Sequence, residues 1–223
     1  MFDIEGFLKE IREKVIFYRR DFHKYTELAW REFRTSSLIG KYLLDMGCSI
    51  KLGKDIINGK ERLDVPSSEV LKENYERALQ EGAFEELSSH MIGGYTGVVG
   101  ILKNGERNKV ALRFDIDGVT VKESEKTKHI PFKEGFLLKM MMLFQPGEEN
   151  VCGGKPRVQF NILKGVDYLL SGHIGIKARK SGEIICGTKG FLAKSKINAE
   201  FIGRASHAAA APEKGIMLFF QRL

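Results

Sequence analysis

Residues 96–117 read TGVVGILKNGERNKVALRFDID. Two apolar runs stand in this stretch, Val98–Leu102 and Val110–Phe114, each short, rich in valine, isoleucine and leucine, and bounded by polar residues. Such runs are predicted as strands. The polar KNGERN connection contains Asn104-Gly105, a pair that favours a tight hairpin, so the two strands are expected to be neighbours. The second run ends in Asp115-Ile116-Asp117, which places two carboxylates at the C-terminal end of a strand.

Further strands are predicted at Met140–Phe144, at VDYLLSG (166–172), at GEIICGT (182–188) and at KSKINAEFIG (194–203). Helices precede them. Ile4, Phe7, Leu8, Ile11 and Val15 recur at helical spacing, so the first two dozen residues form an amphipathic helix. SSLIGKYLLDMG (36–47) is a second helix with Leu38, Tyr42, Leu43 and Met46 on one face and Gly47 as its stop. SIKLG (49–53) is a short strand, and PSSEVLKENYERALQEG (66–82) is a third helix introduced by Pro66 and Ser67. The polar stretch from Gly53 to Gly94 reads as an insertion packed on the main body. The fold class is therefore α/β, a mixed sheet with flanking helices.

One connection is unusual. A parallel pair of strands needs a crossover of a dozen or more residues, normally a helix lying on the sheet. Residues 118–139, GVTVKESEKTKHIPFKEGFLLK, are long enough but are charged, carry a central proline and show no sustained apolar stripe.

Composition narrows the function. The chain has 223 residues, 43% hydrophobic, enough for a substantial core. Its formal charge of +7 is spread along the chain between acidic residues, with no basic block, which favours a solvated basic surface over a nucleic-acid site. Cys48, Cys152 and Cys186 are odd in number and include no C-x-x-C pair, which fits a reducing compartment. The opening MFDIEGFLKE is acidic and amphipathic rather than a signal peptide, and no apolar run reaches membrane-span length. A cytoplasmic protein without membrane partners is expected.

The chemistry concentrates in LFQPGEEN (143–150), where an apolar strand stops at Pro146-Gly147 and two carboxylates follow, Glu148 and Glu149. Adjacent like charges call for solvent or a cation. Carboxylates and imidazoles bind zinc or manganese, and a carboxylate beside a bound water accepts its proton. Asp115, Asp117, Glu148, Glu149 and His173 all follow predicted strand ends, the edge where open α/β sheets form sites. From the residues alone, solvated carboxylates and a packed histidine stand beside the metal reading. A serine-hydrolase reading of Ser206-His207 fails, because neighbours on a strand face opposite ways and no G-x-S-x-G elbow is present.

RRDFHKYTELAWREFRTSSLIGKYLLDMG (19–47), TGVVGILKNG (96–105), VALRFDIDGVTVKESE (110–125), LFQPGEE (143–149), VDYLLSGHIG (166–175), GEIICGTKGFLA (182–193) and FIGRASHAAAAPEKG (201–215) occur in one order. In that order the chain resembles zinc-dependent amidohydrolases of the aminoacylase and glutamate-carboxypeptidase superfamily, most of all the branch formed by the A-subunits of aminobenzoyl-glutamate hydrolase. The resemblance implies a partial catalytic domain over residues 1–190. Residues 191–223 would begin an inserted α+β dimerisation, or lid, domain with a non-matching tail. It implies Glu148 as general base, Glu149 and His173 as metal ligands, and Asp117 as the carboxylate that orients the site. His207 would be offered to substrate across a dimer interface. Asp115 matches the pattern without being a usual ligand. Two zinc or manganese ions, a small amide substrate and a homo- or hetero-dimer are implied. The reaction implied is hydrolysis of an N-acyl amino acid or aminobenzoyl-glutamate-like amide.

The chain also departs from that pattern. After HIPFKEGF the family continues with a Cys-Gly-His-Asp-x-His motif and a helix, whereas here the chain runs almost directly into LLKMMMLFQPGEE. The family's C-terminal half, with a last ligand histidine, is not matched either. The expectation is a chain that on its own holds metal poorly and has little amidase activity. The alternatives are a decayed fragment, a basic nucleic-acid binder and a non-catalytic partner subunit.

Overall fold

A computed structural model describes residues 3–103, 109–118, 140–149, 152–158, 161–172, 180 and 183–187. The chain divides into two compact units, Met1–Ile185 and Cys186–Leu223. The described residues lie almost wholly in the first.

Helix α1 spans Ile4–Lys24 and starts where the Asp3 carboxylate accepts the Gly6 N–H at 2.9 Å. His23 and Lys24 close it, and the Lys24 cation suits the negative end of the helix dipole. Helix α2, Phe33–Asp45, starts earlier than its apolar stripe predicts. Its first amides are capped from a distance: Glu27 accepts the N–H groups of Arg34 at 3.0 Å and Thr35 at 2.8 Å. Its first two turns, through Gly40, are buried on every side, whereas Met46, predicted on the apolar face, is exposed. Arg34 binds both oxygens of Asp21 and donates to the Glu81 carbonyl, tying α1 and α2 to the end of α3, Ser68–Gln80.

Five strands form one mixed sheet: β1 Ser49–Leu52, β2 Val98–Leu102, β3 Val110–Asp115, β4 Met140–Gln145 and β5 Tyr168–Ser171. Their order is β1-β2-β4-β3-β5. The predicted hairpin between β2 and β3 is therefore corrected. β4 lies between them, antiparallel to β2 and parallel to β3. The physical reason is its composition. MMMLF has no polar side chain to turn to water, so it belongs where both faces are covered and both edges are paired. Leu143 packs with Trp30, Ile57 and Val99 on one face, and Met142 and Phe144 pack with Phe33, Leu43 and Val98 on the other.

The insertion expected over Gly53–Gly94 is also corrected. Leu71 and Ala78 of α3 and Met91 belong to the same buried cluster as Phe33 and Leu43, so this stretch builds the main core. α3 and the short helix α4, Glu85–Ser88, pack on α2. The strand expected at GEIICGT is absent from residues 183–187. KSKINAEFIG lies outside the described residues. No helix among the described residues is long and apolar enough to cross a membrane.

Candidate active site

The site is built where β3 and β4, running side by side, deliver their C-terminal loops together. Register pairs Asp115 with Gln145, so Asp117 and the Glu148-Glu149 turn emerge at one edge. The Asp117 carboxylate bridges the loops. One oxygen accepts the N–H of Glu148 at 2.9 Å and the other that of Glu149 at 3.1 Å. Two successive amides on one carboxylate fix the turn, leaving Glu148 half-buried and Glu149 exposed. Burial raises the Asp117 carboxyl above its usual value, opposed by the two amides.

Arg113 supplies the cation that the adjacent acids require. Its Nη2 lies 2.6 Å from Asp115 Oδ1 and 3.8 Å from Glu148 Oε1. Its Nε donates to Gln145 Oε1 at 3.0 Å, and its Nη1 to Ser171 Oγ at 3.4 Å on β5. One guanidinium thus links β3, β4 and β5 at the acidic edge.

Behind the turn lies a buried polar layer. Glu32 is fully buried; its Oε1 accepts the Gly147 N–H at 2.9 Å and its Oε2 the Thr96 hydroxyl at 2.5 Å. Burial pushes its carboxyl up to about 8 against the pull of those two bonds. Arg157, on the short helix α5, Gly154–Val158, is buried too, with no hydrogen-bond partner among the described residues on Nε, Nη1 or Nη2. Burial brings it down to about 9, opposed by Glu32. Cys152 closes the turn, its N–H and thiol both donating to the Gly147 carbonyl at 3.0 and 3.4 Å.

A cavity of about 980 Å³ opens beside Asp115 and Asp117. Phe22, Leu28, Phe114, Ile116 and Phe144 give it apolar walls, and Arg19, His23 and Lys24 border it from the end of α1.

The structure therefore brings Asp117, Glu148 and Glu149 together and places Asp115 against Arg113. His173 and His207 lie outside the described residues. The residues that the sequence did not single out are Glu27, Glu32, Arg113 and Arg157. A buried acid three residues before a Thr-Ser-Ser run (Glu32 before Thr35-Ser36-Ser37) is the only local signal for any of them. Among the described residues no three His, Cys, Asp or Glu side chains gather as metal donors. Asp117 is committed to amides and Asp115 to a guanidinium. The described donors do not by themselves make a metal cage.

No protein-family model matches the chain. It is 32% identical over 250 residues to the A-subunit of p-aminobenzoyl-glutamate hydrolase from Escherichia coli (strain K12), covering 96% of this chain and 57% of that one. It is 34% identical over 238 residues to the homolog of that protein in Haemophilus influenzae, covering 91% and 56%. It is 30% identical over 247 residues to indole-3-acetyl-aspartic acid hydrolase of Enterobacter agglomerans, covering 95% and 56%. The crystal structure of an aminobenzoyl-glutamate utilization protein from Klebsiella pneumoniae superposes with a TM-score of 0.68 at 27% identity, over 78% of this chain and 46% of that one. The chain thus spans about half the length of the curated relatives it matches. The first match runs over 250 positions against 223 residues here, so that relative carries internal segments this chain lacks.

Proposed function

We propose that this chain, a homologue of the A-subunits of p-aminobenzoyl-glutamate hydrolase, carries part of an amidohydrolase centre acting on N-acyl amino acids or aminobenzoyl-glutamate-like amides. The observation that supports this reading is the Asp117 clamp on the Glu148 and Glu149 amides. Hydrolysis of an amide needs a base to take a proton from attacking water and to return it to the leaving nitrogen. Glu148, half-buried and in reach of Arg113, fills that role in the proposal. Asp117 acts as the positioning carboxylate. The apolar cavity beside Asp117 suits an aromatic or aliphatic acyl group, and Arg19 and Lys24 of α1 suit a substrate carboxylate.

Glu149 and His173 are the proposed ligands for a zinc or manganese ion, which would polarise the carbonyl when bound. A catalytic zinc site uses three protein ligands, and the sequence has no Cys-Gly-His-Asp-x-His motif. The chain alone therefore holds metal weakly and turns over slowly. Pairing with a second chain, through the segment 191–223 that would begin a dimerisation domain with His207 facing substrate, is part of the proposal. Nucleic acid and membrane are not.

The test is release of p-aminobenzoate from p-aminobenzoyl-glutamate, followed by chromatography with added Zn²⁺ or Mn²⁺. A slow, metal-stimulated release that Glu148→Gln abolishes supports the reading. Release indifferent to Glu148→Gln, or to metal, overturns it.

A further inference from the structure

The Gly147 N–H, at the start of the Glu148-Glu149 turn, is held by the Glu32 carboxylate. Gly147 has φ +63°, a conformation open to glycine. Its carbonyl accepts the N–H groups of Cys152 at 3.0 Å and Gly153 at 3.1 Å, and its own N–H donates to Glu32 Oε1 at 2.9 Å. The peptides on both sides of the Gly147 Cα are thus each held by a hydrogen bond. Take Glu32 away and a buried donor is left without an acceptor beside a residue with unusual backbone freedom.

Glu32 is itself immobilised. It is the residue before α2, its second oxygen accepts the Thr96 hydroxyl, and the buried Arg157 faces it as a cation. The same short segment holds the other loop. The Glu27 carbonyl accepts the Gly118 N–H at 2.8 Å, one residue beyond Asp117. Both carboxylate-bearing loops are thus hooked, each one residue from its functional side chain, onto residues 27–32. We infer that Glu32 is a positioning residue of the centre, acting through Gly147 to fix where Glu148 and Glu149 point. The inference rests on the reading of Glu148 and Glu149 as the reactive turn.

The experiment uses the full chain with Glu32→Gln and Glu32→Leu. Amide hydrogen exchange is read by NMR at Gly147, Glu148 and Glu149, and Mn²⁺ binding by electron paramagnetic resonance. Loss of one buried hydrogen bond corresponds to about a tenfold change, so Glu32→Leu should speed exchange at those amides by at least about tenfold. Exchange in α3 should be unchanged, and Mn²⁺ binding should weaken. Glutamine keeps the acceptor for Gly147, and the Thr96 hydroxyl can turn to accept from its amide, so Glu32→Gln should stay close to the wild type. Unchanged exchange at the turn in Glu32→Leu overturns the inference, as does a glutamine variant equally loosened. Should Glu32→Leu not fold, Thr96→Val removes the second bond of Glu32. Faster exchange confined to the turn then supports the inference, and none overturns it. A wild type whose amide release is indifferent to Glu148→Gln or to metal counts against the hydrolase reading, while the exchange comparison still decides the role of Glu32.

Discussion

At the scale of single residues, the two carboxylates that matter most are held by amides. Asp117 uses both oxygens, and asparagine can offer only one acceptor to the two N–H groups of Glu148 and Glu149. Asp117→Asn should therefore cost about 1–2 kcal/mol, read from urea unfolding, and loosen the turn. Glu32 makes a pH prediction with a definite sign. Its carboxyl, pushed up to about 8 by burial, keeps its proton in the folded chain after the unfolded chain has released it. Between its ordinary value of 4.5 and about 8 the folded state binds more protons, so stability falls as pH rises through that window and levels off above it. Glu27, shifted the same way by burial, adds to the trend. Thermal unfolding between pH 5 and 8 should show the wild type losing stability faster than Glu32→Gln, which has no proton to release. Asp117, Glu148 and Glu149 could be picked out in the sequence because they follow apolar runs. Glu32 could not, since a buried acid before a helix looks like any solvated acid until Gly147 arrives from 115 residues away.

At the scale of elements, the decisive one is β4 and the turn that ends it. Gly147 lies at φ +63°, and a Cβ there would come within 2.7 Å of Cys152 Sγ. Gly147→Ala should cost about 1–3 kcal/mol. Gly153→Ala should cost more, because its Cβ would meet the Pro146 carbonyl oxygen, a backbone atom that cannot step aside. Guanidinium unfolding of the two variants checks the order. Helices α1 and α3 and all five strands were readable from periodicity and capping, Ser67 before α3 being a clear example. Strand order was not. Asn104-Gly105 suggested neighbours by local turn chemistry, and β4 overrode it because only the middle of the sheet covers a strand as apolar as MMMLF. The start of α2 is not legible locally because Glu27, six residues before it in the chain, supplies the cap.

At the scale of the molecule, the sheet is finished unevenly. On β5, Tyr168, Leu169 and Leu170 are 57%, 48% and 57% exposed, and Phe114 on β3 is 41% exposed. Register aligns Leu170 with Leu112 on the same side as Phe114, so Tyr168, Leu170 and Phe114 share one face of the sheet and Leu169 lies on the other. Apolar patches on edge strands promote association. The chain should bind a fluorescent apolar dye and elute as an oligomer in size-exclusion chromatography, and Tyr168→Thr with Leu170→Thr should reduce both. The same unevenness reaches the site, where the described acids are answered by Arg113 and by amides rather than by a gathered set of metal donors. The most direct test of an incomplete hydrolase centre is metal content. The purified chain, loaded with zinc and desalted, is analysed by mass spectrometry for zinc per chain. Well under one ion per chain is the predicted result, and about two tightly held ions, a filled pair of sites with full ligand sets, would contradict it.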